Sequence, residues 1–329
     1  VDAQPVHVIR TAVIPHARLD RDRFPEDLAL LAGLGAQQAR ISLDWAWLQP
    51  RAGAFDGDAE EWYAGVLQHA ATLGLGLQFT LLERSVPLWF DNDGGFTDAR
   101  FAGHWWPRWV EGAAERFGDA VAGWVPFDNP LAYANRLVPD DPRRHGDVLD
   151  TLVVAWRDAW RILRGGPPVA TALGVKTVRP IDQTIQAAEA ARREDQLRWR
   201  LWLQGLRDGT VSIPGRADRE VTDLAGACDV IGVVVADVDE TLGAILRAAE
   251  MGPDRPLAVT LITPPGQDSD RVTIIERYEL ACGEAGEGSP LQSMGVAPTF
   301  DVEGADDGVL TRDRDVKDSA AVFFGGGVR

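Results

Sequence analysis

Residues 124–130 read Trp124-Val125-Pro126-Phe127-Asp128-Asn129-Pro130. A short apolar run ends in an acid, an amide and a proline. Ahead of it, residues 101–117 carry tryptophans at helical spacing and stop at Gly118-Asp119. That order predicts helix, turn, strand, and then a polar tip at the strand's C-terminal end. In a barrel of parallel strands such tips carry the chemistry. Asp128 and Asn129 therefore bear most directly on function.

The same unit recurs on both sides of this stretch. Toward the N-terminus, 6–11 reads as a strand, 24–34 as a helix closed by Gly35, and 38–43 as a second strand. A helix capped by Asp56 runs to Leu73, and 75–82 is a third strand. Toward the C-terminus, helix 148–163 ends at the break Gly165-Gly166-Pro167-Pro168. Strands follow at 169–175, 228–235, 256–262 and 296–302, with helices at 183–206, 240–251 and 271–284 between them. Eight strand–helix pairs with no internal shift of composition predict an α/β fold: one (β/α)8 barrel over 1–329, not two domains.

The bulk composition narrows the function classes. Of 329 residues, 45% are hydrophobic and 25% charged, values typical of a globular chain. A net charge of −17 argues against nucleic acid and anionic membranes as partners, because phosphate binding needs a basic surface. No apolar run approaches the ~20 residues of a membrane span, and Val1 opens no basic-then-apolar leader. Cys228 and Cys282 are the only cysteines. Free buried thiols in a reducing cytoplasm are the expectation for them. No Cys/His spacing fits a metal, and no cofactor motif is visible. Frequent alanine and arginine point to a GC-rich bacterial source.

Several segments carry a family resemblance. Glu115-Arg116-Phe117-Gly118-Asp119, Trp124 and Phe127-Asp128-Asn129-Pro130 resemble the fourth-strand region of glycoside hydrolase family 1, the β-glucosidase family. That family ends the strand in Thr-Phe-Asn-Glu-Pro, with the Glu as general acid/base. Asp128 stands at the Asn position and Asn129 at the Glu position. Arg40-Ile41-Ser42-Leu43-Asp44-Trp45, followed by Pro50, resembles the family's Arg-Phe-Ser-Ile-Ser-Trp…Pro, whose Arg steadies the active-site carboxylates. Residues 81–87 stand where the family has Leu-Tyr-His-Trp-Asp-Leu-Pro, placing Glu83 at its sugar-contacting His and Arg84 at its Trp. The family's seventh strand ends Ile-Thr-Glu-Asn-Gly, with that Glu as nucleophile, and the alignment puts Leu261 there. Lys317, Ser319 and Ala320 match the closing helix. The resemblance runs from about 23 to 323 and is strongest over 23–130. The chain is shorter than the family norm, so the loops are expected to be short.

The resemblance implies a barrel without the family's catalytic pair. An amide at 129 cannot exchange a proton at neutral pH, and Leu261 offers no nucleophile. Retaining hydrolysis needs two carboxyl groups about 5–5.5 Å apart. The expectation is a pseudoenzyme-like barrel that binds a small polar ligand, a sugar among the candidates, or a partner protein through the strand tips. A second reading is repurposed acid/base chemistry by Asp128 and Glu83, such as an isomerisation, elimination or cyclisation. A third is residual glycoside hydrolysis, and a fourth a purely structural scaffold. Arg40, Trp45, Glu83, Arg84, Asp128, Asn129, Lys176 and Asp301 are the candidate ligand-binding residues. The plainer reading pairs Glu83 with Arg40 or Arg84, and Asp128 with the other arginine. Trp105, Trp106 and Trp109 read as outer-ring packing. Trp45, Trp47 and Trp89, in strand-tip loops, are the aromatic ligand candidates.

Overall fold

A computed structural model describes residues 8–286 and 288–325. Eight strands form one sheet. They are β1 (Ile9–Ile14), β2 (Gln38–Ser42), β3 (Gly76–Leu82), β4 (Gly123–Phe127), β5 (Leu173–Gly174), β6 (Ile231–Val235), β7 (Leu257–Ile262) and β8 (Leu291–Ala297). Their order is β4-β3-β2-β1-β8-β7-β6-β5, and every pairing is parallel. Parallel neighbours need a crossover, and a helix on the outside supplies it. The helices outside the sheet include α1 (Phe24–Leu34), α2 (Gly57–Thr72), α3 (Ala99–Phe117), α4 (His145–Leu163), α5 (Ile185–Asp195), α6 (Leu201–Asp208), α7 (Thr241–Met251), α8 (Asp268–Gly286) and α9 (Asp318–Phe324), and shorter helices follow β2, β3 and β4.

The sheet curls until its two edges meet. Trp124 bridges to Val169, the Trp124 N–H donates to the Pro168 carbonyl, and the Ala170 N–H donates to the Trp124 carbonyl, both at 2.8 Å. That seam completes the predicted (β/α)8 barrel. It is thinner than the expected strand over 169–175, because only Leu173–Gly174 holds a regular ladder. The cause is Thr171. Its hydroxyl donates to the Gly232 carbonyl at 2.9 Å and accepts from the Gly232 N–H at 2.8 Å, replacing backbone partners.

Two layers fill the molecule. Between sheet and helices lies an apolar shell, richest in aromatics under β2 to β4. There Trp45 stacks on Trp109 and Trp106 on Phe127. Inside the barrel the floor is polar. Gln78 donates to Gln38 at 2.9 Å, and Thr11 and Ser293 share a 3.0 Å hydrogen bond beside a cavity of about 60 Å³.

Other boundaries shift from the sequence reading. The first strand begins at Ile9, and Val6 and His7 lie outside the described residues. The eighth strand is Leu291–Ala297, not 296–302. Its Gln292 and Ser293 line the floor cavity, so the segment lacks the apolar signature of a strand. Residues 298–302 look apolar, but Pro298 has no N–H to give a ladder, and Thr299 turns back to bond the Val13 carbonyl. The helical stretch expected over 183–206 is α5 and α6 joined by one π turn, Gln196–Arg200. Cys228 lies ahead of β6 and Cys282 within α8; both are free and buried, and burial pushes each thiol up to about 12.

Candidate functional site

The C-terminal ends of β1 to β4 converge on one polar cluster. Asp128 follows β4 directly, and its N–H donates to the Leu82 carbonyl of β3 at 2.9 Å. Its carboxylate lies 3.6 Å from the Arg40 guanidinium, which rises from the interior face of β2 and is 8% exposed. Burial pushes the Asp128 carboxyl above the ordinary carboxylate range; Arg40 opposes the shift and the Glu83 charge adds to it.

Glu83, at the tip of β3, is held differently. Its Oε2 accepts from the His16 N–H at 2.9 Å and from the Ser42 hydroxyl. Arg136 does not pair with the Glu83 carboxylate; it donates to the Glu83 backbone carbonyl at 2.9 Å. Among the described residues Glu83 forms no ion pair within 4.0 Å, so the pairing with Arg40 or Arg84 expected for it is replaced by a hydroxyl and an amide. Arg84 is exposed beside it. Arg40 goes to Asp128.

Asn129 serves the backbone. It sits at φ 46°, ψ 70°, a left-handed conformation that asparagine tolerates better than most residues. Its Oδ1 accepts from the Ala132 N–H at 3.2 Å and caps the short helix Pro130–Leu137. Its side chain lies against Gly174; a Cβ at 174 would fall 2.3 Å from Asn129 Nδ2.

The rim beside β2 is also knit by charge. Asp44 caps the short helix Trp45–Leu48 and pairs with Arg21 at 2.7 Å, with His16 Nε2 at 3.7 Å. Arg21 lies over the Trp47 ring, 3.6 Å from its centroid. Tyr63 of α2 receives the Asp44 N–H and donates to the Ser42 carbonyl, locking the tip of β2 against the outer helix.

Other candidates fall elsewhere. Trp45 is 1% exposed, with its indole N–H on Gln49 at 2.8 Å, so it belongs to the aromatic shell and not to the mouth. Trp89, half-buried, is anchored likewise, through the Gln49 carbonyl. Lys176, past β5, pairs with Glu194 at 3.0 Å. Asp301 bonds Lys317 at 2.7 Å and the Gly308 N–H at 2.8 Å within the loop after β8. Leu261 is 0% exposed in the main core, whereas Ile262, the last residue of β7, is 39% exposed. The β7 tip therefore meets solvent through Ile262, one residue beyond the aligned position. Sequence reasoning missed His16, Ser42 and Arg136. Ser42 lay inside a quoted motif, but nothing in the chain marks a backbone N–H as a carboxylate ligand. Among the described residues no group of three metal-ligating side chains comes together, and no helix is long and apolar enough to cross a membrane.

Known proteins agree with this architecture. Residues 17–212 match the model of glycosyl hydrolase family 1. β-Glucosidase A of Thermotoga maritima is 24% identical over 144 residues, 44% of this chain and 32% of that relative's length. The chain thus spans about a third of that curated relative in the match. Among solved structures, a β-glycosidase from Pyrococcus horikoshii superposes with TM-score 0.82 at 20% identity, over 93% of this chain and 84% of that one. The T. maritima β-glucosidase in complex with castanospermine gives 0.85 at 14% identity, over 100% of both. The AHE enzyme from Alicyclobacillus herbarius gives 0.83 at 16% identity, over 99% of both. These likenesses establish the fold, and with a family model matched over more than half of its residues, the chain belongs to glycosyl hydrolase family 1.

Proposed function

We propose that the barrel mouth binds a small polyhydroxylated ligand of the sugar class without hydrolysing glycosides by the retaining route. One observation carries this reading. Two carboxylates of the mouth, Glu83 and Asp128, sit on the adjacent strand tips of β3 and β4, with Asp44 beside them at β2 engaged by Arg21, while β7 ends in Leu261-Ile262-Thr263. Double displacement at a sugar carbon needs an acid and a nucleophile on opposite faces of the scissile bond. Two acids on one side, with Arg40 between strands 2 and 4, suit hydrogen bonding to hydroxyl groups. Asn129, committed to its helix cap, does not replace the missing acid.

A second reading rests on Asp128 itself. A carboxyl raised by burial beside a second carboxylate is the arrangement that separates an acid from a base. Asp128 would give a proton and Glu83, steadied by Ser42 and the His16 N–H, would take one.

The test is calorimetric titration with castanospermine, which the T. maritima enzyme holds in its structure, beside an assay of aryl β-glucosides. The expected result is binding that weakens at least tenfold in Asp128→Ala, with no hydrolysis. Release of product with retained configuration by the unmodified chain would overturn the reading in favour of a working glycosidase. Absence of binding to iminosugars and free sugars alike would leave the barrel a scaffold. A product that is isomerised or eliminated, lost in both Asp128→Asn and Glu83→Gln, would establish the acid/base alternative.

A further inference from the structure

Outside the mouth, a cavity of about 450 Å³ opens between the short helix Pro130–Leu137, the loop at 141–145 and the last two turns of α5. That volume is in the range of small-molecule sites. Its apolar lining comes from Leu131 and Leu197, which are 6% and 4% exposed, together with Ala190 and Pro142. Its rim carries Arg143 and Arg193, both exposed. Among the described residues neither guanidinium has a hydrogen-bond or ion-pair partner.

The acids on the same rim are already engaged. Asp141 accepts from the Arg143 backbone N–H at 3.1 Å. Glu194 is bound by Lys176 at 3.0 Å and by Arg198 at 2.8 Å. Burial pushes the Glu194 carboxyl up, but those two cations win and hold it below the ordinary range. In a chain of net charge −17, the rim thus carries two exposed guanidiniums without a partner among the described residues, beside an apolar wall. The backbone is unusual here as well. The π turn Gln196–Arg200 begins at this wall, and such turns recur at functional sites. It puts Leu197 into the cavity while sending Arg198 to the Gly174 carbonyl at 2.7 Å.

We infer that this cavity is a second small-molecule site, taking an amphipathic organic anion: an apolar body against Leu131 and Leu197, and a carboxylate or phosphate on Arg143 and Arg193. A planar guanidinium fork matches either oxyanion bidentately. The site is independent of what the mouth binds.

The experiment is calorimetric titration of the full chain with phenylacetate, phenyl phosphate, benzyl alcohol and inorganic phosphate. Both aryl anions should bind at least tenfold more tightly than benzyl alcohol, and the tighter of the two identifies the oxyanion. Arg143→Gln combined with Arg193→Gln should weaken the aryl anions at least tenfold with an unchanged melting temperature, since both side chains are exposed. Asp128→Asn should leave the titration unaltered. Equal affinity for benzyl alcohol, no binding of any aryl anion, or an unaffected double variant would overturn the inference. So would inorganic phosphate binding as tightly as phenyl phosphate, which would make the apolar wall irrelevant. Loss of binding in Asp128→Asn would place the anion in the mouth and overturn it too.

Discussion

Glu83 and Asp128 are one strand apart but solve the problem of a charge at the barrel mouth differently. Glu83 is satisfied by a hydroxyl and a backbone N–H. Asp128 depends on Arg40 at 3.6 Å, too long for a hydrogen bond, so burial dominates and its proton is held more tightly than in the unfolded chain. The sign of the linkage follows. Protonation of Asp128 favours the folded state, so its contribution to stability is complete below the ordinary value of 3.8 and is lost as pH rises through the raised value. Urea denaturation across that range should show a downward component in the unmodified chain that is missing in Asp128→Asn. Identical slopes would mean that Arg40 neutralises the carboxylate fully. A second residue-scale prediction separates Leu261 from Ile262. Leu261→Glu buries an unpaired charge in the core and should cost several kcal/mol, leaving little folded protein. Ile262→Glu, at a position 39% exposed, should fold with nearly the original midpoint.

At the scale of elements, close backbone approach governs the thin side of the barrel. A Cβ at Gly232 would fall 1.9 Å from the Thr171 carbonyl oxygen, which has no flexible side chain to give way. Gly232→Ala should therefore cost about 3 kcal/mol by overpacking, read as a drop in denaturation midpoint. A wild-type midpoint would show that β5 can move away from β6 freely. These same elements explain what was legible in the sequence. Helix α1 and strands β2, β3 and β7 carry strong periodicity and glycine stops, and their observed bounds lie within a residue of the reading. β8 was displaced because the interior floor is polar, so its inward side chains do not look like those of a buried strand. β5 was overextended because Thr171 substitutes a hydroxyl for the ladder, which no local pattern announces. At the mouth, the sequence brought Arg40, Glu83, Asp128 and Asn129 to one place through their strand ends. It could not show that Trp45, two residues past Leu43, turns under the helix Trp45–Leu48 into the aromatic shell, nor that the loop after β1 bends His16 over Glu83. Those depend on how a tip folds back, a tertiary matter.

For the whole molecule, the sheet is a ring of unequal thickness. Continuous parallel ladders join β4 through β1 to β6, and a two-residue strand with isolated bridges closes it. The aromatic shell is unequal in the same sense. All twelve tryptophans lie at or before Trp202, and those around Trp45, Trp106, Trp109 and Trp124 pack beneath β2 to β4. The arc made of β6, β7 and β8 with α7 to α9 contains none. Light absorbed by indole is therefore weighted toward one side of the barrel, although Trp199 also touches the other arc where Arg247 of α7 lies over its ring at 4.5 Å. A melt followed by tryptophan emission is less sensitive to loosening of β7 and β8 with α8 and α9, whereas far-ultraviolet circular dichroism sees every helix. If the arc loosens first, ellipticity should fall at a lower temperature than emission shifts, and the gap between the two curves would measure how independently the halves of the ring come apart. Superimposed curves would mean that the thin seam still transmits full cooperativity around the ring.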